Sequence, residues 1–355
     1  MISQRSNSQQ QGQPPDDSRA AASKNFAVLS DQFMKDSLAW SPVSASAAGY
    51  HSHMDPKSGR PLALDALLDD FSPQSFATQR DFYAGWRERF HKESAPSALD
   101  PEDAADWQLI DDQIGLNLLE FDRIQSYKHN PTVVVELIGN ALFLPLTQNY
   151  APHDVRVGHV LARVSQIPRL LAQVQPYLSD SDPVWISTAI EENAGNIDLI
   201  EHTLAAEIPA GSPRRAEYDA VAPPALKALH DFSAWLQNSL AKQPSNLTWR
   251  LGKVLYAQKF ALVMETAVTP EEVLASAEQD MRSVRAEMLQ IALPLHAQMY
   301  PDHNDHSNLG QHDRENLIIQ EVLRKISDHH PSPDQLQPTI EADLVSITKF
   351  IREKK

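Results

Sequence analysis

Thr269-Pro270-Glu271-Glu272-Val273-Leu274 is the stretch on which the fold turns. A threonine before a helix accepts a hydrogen bond from one of the orphan N–H groups of the first turn, and a proline at the first helical position gives up an N–H that had no partner there. The two glutamates then sit at the positive end of the helix dipole. The stretch predicts a helix over about 270–300. The same device recurs at Ser41-Pro42, Ser72-Pro73, Asp100-Pro101, Asn130-Pro131, Asp182-Pro183 and Ser212-Pro213. Ser332-Pro333 is a less clean eighth case, because Pro338 follows so closely. The prolines therefore punctuate helices rather than break them, and the chain reads as all-α, a large array of about eleven or twelve antiparallel helices.

Apolar spacing fills in the array. Phe26, Leu29, Phe33 and Leu38 mark a helix over about 24–40. Phe76, Tyr83, Trp86 and Phe90 mark one from Pro73, and Trp107, Ile110, Ile114, Leu118 and Phe121 mark one from Pro101 to about Tyr127. Val133 to Leu146 is apolar nearly all round, which predicts a central helix that Pro145 ends or kinks. A helix over 153–178 should break at Pro168, and one over 213–242 should be interrupted at Pro223-Pro224. Further helices are expected over 183–206, 246–264, 313–328 and 335–351. His51–Asp70 reads as loop plus a short helix at Leu62–Leu68, and no stretch alternates cleanly enough for a strand. Residues 1–22 are Ser-, Gln- and Pro-rich and read as a disordered polar tail. Residues 23–355 read as a helical domain, with two sub-bundles dividing near 207–212.

The chain has 355 residues, a net charge of -16 and no cysteine. The acidic balance and the lack of any continuous basic stripe argue against nucleic acid as a partner. No apolar run reaches the roughly 18 residues of a membrane span, so no membrane partner is expected. The polar start has no apolar core of a signal peptide, which makes the cytoplasm the default location and leaves export open. Disulfides, thiolate metal sites and cysteine nucleophiles are excluded.

None of the 14 histidines precedes a glutamate. A His-Glu-x-x-His motif, which places two imidazoles and a base on one helix face, is therefore missing, and no catalytic residue is assigned. Phosphate-cradling Gly-rich loops and a Gly-x-Ser-x-Gly elbow are missing too. The weak metal candidates are His303, His306 and His312, in or beside a polar loop at 301–312; the plainer reading of that loop is a solvated connection. Asp100–Asp122 holds eight carboxylates, but they lack calcium-loop spacing and read as a solvated helix face. His51, in Gly49-Tyr50-His51-Ser52-His53, lies in a loop and so is a candidate for facing a ligand.

The order of these segments resembles the N-terminal half of a bacterial family, domain of unknown function 885. The matching stretches are Gly49-Tyr50-His51, Leu67–Ser72, Asp100-Pro101-Glu102-Asp103, Asn130-Pro131 and Ile167-Pro168-Arg169-Leu170-Leu171. Trp249-Arg250-Leu251-Gly252-Lys253-Val254-Leu255-Tyr256 and Thr269–Leu274 continue the pattern, which covers roughly 24–355. The resemblance implies a helical protein akin to gluzincin-type zinc metallopeptidases, with His51 and Arg250 as candidate groove residues. It also implies that the zinc-binding and catalytic residues lie in a C-terminal half whose motif this chain lacks. No cofactor is therefore expected in the chain itself; zinc is expected only with the C-terminal half. The expected partner is that missing half, or a second copy, with a peptide as the ligand class. The expectation is a groove-forming helical half, not catalytic by itself; the alternative is a stand-alone helical binding or scaffold protein. The first reading places an exposed apolar patch among Ile318, Val322, Ile326, Leu344, Ile347 and Ile351.

Overall fold

A computed structural model describes residues 16–354 except 56–57, 266 and 303–305. Its helices are α1 (Asp16–Ala39), α2 (Pro42–Ala47), α3 (Pro73–Glu93), α4 (Pro101–Leu119), α5 (Ser126–His129), α6 (Thr132–Thr147), α7 (His153–Val164) and α8 (Ile167–Val174). They continue as α9 (Pro183–Asp198), α10 (Ala205–Glu207), α11 (Arg215–Asn238), α12 (Gly252–Met264), α13 (Pro270–Met299), α14 (Gln311–Ser327) and α15 (Leu336–Lys354). Among the described residues the sheet is confined to β1 (Ser52–Met54) and β2 (Pro61–Ala63), paired antiparallel with His53 opposite Leu62. The fold is all-α, as the polar-residue–proline pairs predict. Three of those pairs make full side-chain caps: Ser72 accepts from the Ser75 N–H, Asp182 from the Val184 N–H, and Thr269 forms a reciprocal capping box with Glu272.

Among the described residues the chain divides into two compact units, one ending at 267 and the other starting at 268. The expected sub-bundles divide near 207–212. Helices α9 and α11, on either side of that stretch, pack against each other, as Asn193 shows by donating to the Leu229 carbonyl at 2.9 Å. The helix α1 also begins at Asp16, so 16–22 belong to a helix rather than a tail, while 1–15 lie outside the described residues.

In the first unit, α6 is central. Val134, Val135, Ile138, Ala141 and Leu142 are all at most 1% exposed, packed against α7 and α9. Pro145 sits inside the last turn of α6 and withholds the N–H that would bond the Ala141 carbonyl. A side chain replaces it. The fully buried Arg163 of α7 donates to the Ala141 oxygen at 3.0 Å. Two turns nearer the start of α7, Arg156 donates to the Pro145 and Leu146 carbonyls at 2.6 and 3.0 Å. Two cations thus cover the negative end of α6, where helix carbonyls lack intrahelical donors. The expected break around Pro168 is present between α7 and α8. The expected interruption at Pro223-Pro224 is not: α11 runs through both. Both prolines and the residues Asp219 and Ala220, whose carbonyls lose their donors, are exposed, so water can bond them.

A second core in the same unit is aromatic. Phe33 meets Trp86 and Phe90 edge-on at 5.5 and 5.6 Å between centroids, joining α1 to α3. On α4, Gly115 faces Leu262 of α12 so closely that a Cβ would stand 3.0 Å from it. Arg87 of α3 makes a two-pronged contact with Asp111 of α4 at 3.0 and 3.1 Å, and His91 adds a third bond at 2.9 Å. Burial pushes the Asp111 carboxyl up, but the bonds from Arg87 and His91 outweigh it and hold it below its ordinary value.

The second unit is thinly packed. Its buried apolar residues are Ala292 of α13 and Ile318, Ile319 and Val322 of α14, with Met288, Leu289, Leu295 and Met299 beside them. Of the six residues of the expected patch, four are exposed and two are not. Ile318 and Val322 are enclosed between α13 and α14, whereas Ile326, Leu344, Ile347 and Ile351 are 49 to 59% exposed. No residue of α15 is buried.

Candidate functional site

In the first unit the side chains that can do chemistry gather around Asp65. It lies in a single 3-10 turn, Leu64–Ala66, that follows β2. Ser46 of α2 donates to Asp65 Oδ1 at 2.6 Å, and Arg163 Nη2 donates to Ser46 Oγ at 2.6 Å. His51, brought round by the turn after α2, donates from Nδ1 to Asp65 Oδ1 at 3.0 Å. The ring of Tyr150 stacks on His51 at 4.5 Å between centroids, and its hydroxyl lies 3.0 Å from His159 Nδ1. Burial, with Asp65 adding to it, pushes the Tyr150 phenol up to about 12. Burial also pulls His159 down despite the opposing pull of Asp65. The phenol thus keeps its proton and donates to a neutral imidazole. Deeper in, burial raises the Asp69 carboxyl to about 6, against the opposing bond from the Val43 N–H and the charge of Arg163.

His51 is thus placed where a buried carboxylate fixes its ring while about a third of the side chain, 34%, meets solvent. That is the arrangement in which an imidazole is oriented for proton transfer or ligand contact. Arg250, the other candidate groove residue, lies elsewhere. Its guanidinium stacks 4.2 Å over the Trp249 ring. The two border an open depression of about 520 Å³ with Leu251, Gly252, Lys253 and Tyr256. Among the described residues no hydrogen bond or ring contact joins His51 to Arg250.

In the second unit, His306 Nε2 lies 2.9 Å and His296 Nε2 2.7 Å from the same oxygen, Oε2 of Glu321. His296 belongs to the last turn of α13, Glu321 to α14 and His306 to the loop between them, with a left-handed φ of 58°. His296 and His306 are 5% and 9% exposed. The Tyr300 hydroxyl donates to the Glu321 carbonyl at 3.2 Å and ties the same helix end to α14. Of the three sequence candidates, His306 joins this cluster. His312 stands exposed in the first turn of α14, and His303 lies outside the described residues. His296 and Glu321 were not anticipated. The signal existed for His296: it occupies the apolar stripe Leu289, Ala292, His296, Met299, where a polar residue needs a buried partner. Glu321 carried no signal, because an acid beside Ile318 and Val322 reads as ordinary helix surface.

A family model described as "Bacterial protein of unknown function (DUF885)" matches residues 42–355. No curated protein matches the chain. Among solved structures the chain is similar to a protein from Shewanella oneidensis described as "a putative lipoprotein of unknown function". The two share 21% of residues, with a TM-score of 0.68 over 93% of this chain and 57% of that one. At that identity the likeness is one of fold. The chain spans 57% of the length of that neighbour.

Proposed function

The chain belongs to the DUF885 family of bacterial proteins of unknown function, and from that premise we propose that it is the groove-forming helical half of a metallopeptidase-like hydrolase, not catalytic by itself. The observation that carries this reading is the number of large apolar side chains left exposed on the late helices, in each unit taken by itself. Val254 and Val263 of α12, Leu274, Met281 and Val284 of α13, and Val345 and Phe350 of α15 are 53 to 71% exposed. Isolated domains rarely leave so many large apolar side chains in water, and such faces are ordinarily covered by another domain or subunit. The occupant we propose is further polypeptide of the same family, since this chain spans 57% of the solved neighbour. The resemblance to gluzincin-type peptidases supplies the reaction class, and the lack of a His-Glu-x-x-His motif supplies the inactivity of this part alone.

The test is complementation. The chain alone should hydrolyse no peptide, and peptide hydrolysis should appear when it is joined or mixed with the remaining family sequence. Peptidase activity in this chain alone would overturn the reading. The exposed rings of Trp249 and Tyr256 beside Arg250 favour a second reading, a stand-alone binder of carboxylate-bearing peptides. Peptide binding that is lost in Trp249→Ala, with a strictly monomeric chain, would select it. The neighbour's description as a lipoprotein supports an exported location, which cell fractionation decides. No helix among the described residues is long and apolar enough to cross a membrane.

A further inference from the structure

We propose that His296, His306 and Glu321 form a binding site for a divalent transition-metal ion, zinc or a cation of similar preference, that staples the loop after α13 to α14. The site is independent of the peptidase-like reading and of any zinc held by another part of a longer protein.

Three observations carry it. The ligand atoms, two imidazole Nε2 and one carboxylate oxygen, lie within 4.8 Å of one another. Two of the separations, 2.7 and 2.9 Å, are close to the roughly 3.3 Å between neighbouring donors around a tetrahedral ion with bonds of about 2.0 Å. Small rotations of the side chains would bring all three into range. The donors are also withdrawn from solvent, with side-chain exposures of 7% for His296, 11% for His306 and 14% for Glu321. They stand at the edge of a small apolar core, next to Ala292, Ile318 and Val322. Finally, they come from three separate elements. Helix neighbours on an exposed face converge by chance, but α13, a left-handed loop residue and α14 converge only because the fold brings them together.

The chemistry selects the ion. Two neutral imidazoles with one carboxylate suit zinc, cobalt, nickel or copper, whereas calcium and magnesium prefer all-oxygen sets. With three protein donors, a fourth position stays open for water or for a donor group of a bound ligand. In the metal-free chain the two imidazoles bond the carboxylate instead, and that bonding is what the ion would replace.

The experiment uses the full chain, stripped with a chelator and titrated with cobalt(II) and zinc(II). Calorimetry should give one site per chain with a Kd on the order of 1 µM or tighter, and cobalt should give the visible absorption of a four-coordinate ion. The melting temperature should rise with zinc, since an ion that binds only the folded chain stabilises it. His306→Asn keeps a residue type that tolerates the left-handed backbone, and Glu321→Gln keeps the shape of its side chain. Each should weaken binding by more than the roughly 10–100-fold that losing a supporting group costs. His312→Ala, at an exposed histidine, should leave binding unchanged. Circular dichroism confirms that each variant is folded. Binding that is absent, that survives both substitutions, or that falls equally in His312→Ala overturns the proposal and leaves the cluster as a hydrogen-bonded clasp.

Discussion

The two units use the same kind of amphipathic helix and reach opposite ends of burial. In the first, Ile138, Leu142, Leu161, Ile167, Ile200 and Leu204 are wholly enclosed. In the second, four apolar residues are enclosed among those described, while Leu274, Leu344, Val345, Ile347 and Phe350 are 55 to 71% exposed. Apolar residues at helical spacing occur in both, so a helix-forming pattern does not by itself account for the difference. Amphipathic spacing says that a helix has a face to bury; it does not say that the burying surface is part of the same chain.

The sharpest way to break this contrast is a pair of matched substitutions. Leu142→Asp, at a position 0% exposed, should unfold the chain or leave it insoluble, because a carboxylate there has no partner. Leu344→Asp, at a position 59% exposed, should stay within about 0.5 kcal/mol of the parent. Chemical denaturation of both variants reads the difference. Equal losses would show that α15 is packed more tightly than its exposure says.

A smaller effect is expected where the first unit buries a charge. Arg163→Met keeps an unbranched apolar stem but leaves the Ala141 and Leu67 carbonyls, now bonded at 3.0 and 3.1 Å, without donors. The expected loss is about 3–5 kcal/mol, the range for removing one partner from a buried ionic network. A neutral result would mean that water takes over the end of α6.

Asp69 adds a pH signature to the same core. Its carboxyl rises from 3.8 to about 6 on folding, so the folded state holds the proton more tightly than the unfolded one. Its contribution favours folding below about pH 4 and is lost as pH rises through about 6, a change of at most about 3 kcal/mol. Asp69→Asn should remove that part of the slope. Urea titrations of parent and variant between about pH 4 and pH 7 should converge at the acid end, and parallel curves would refute the buried-acid reading.

The smallest effect belongs to the second unit. Thr269→Ala removes the side chain that accepts from the Glu272 N–H at 3.2 Å. Since α13 buries nothing over its first turns, the loss should stay local. Amide exchange there should speed up roughly fivefold with no change in global stability.

The helix starts were legible because they rest on local chemistry. Thr269-Pro270 and Ser72-Pro73 state their caps within four residues, and the apolar density of 133–146 announces the central helix. The errors share one cause, which is information held by a distant element. Nothing near Pro223-Pro224 tells that their side of α11 faces water and so can carry two prolines. Nothing near Pro145 tells that Arg163 will serve the carbonyl it strands. The candidate residues divide the same way. His51 and His306 stood out as loop histidines, but Asp65 and Glu321, which fix them, come from 14 and 15 residues away and look like surface acids.

The central claim is that the bare faces of the late helices belong against another polypeptide surface. Sedimentation velocity over a wide concentration range tests it most directly, with the parent compared against the combined Leu344→Ser, Ile347→Ser and Ile351→Ser variant. The account predicts that the parent associates with rising concentration and binds an apolar dye, and that the variant is more monomeric and binds less dye at unchanged helix content. A parent that stays monomeric at every concentration and binds no dye would contradict it.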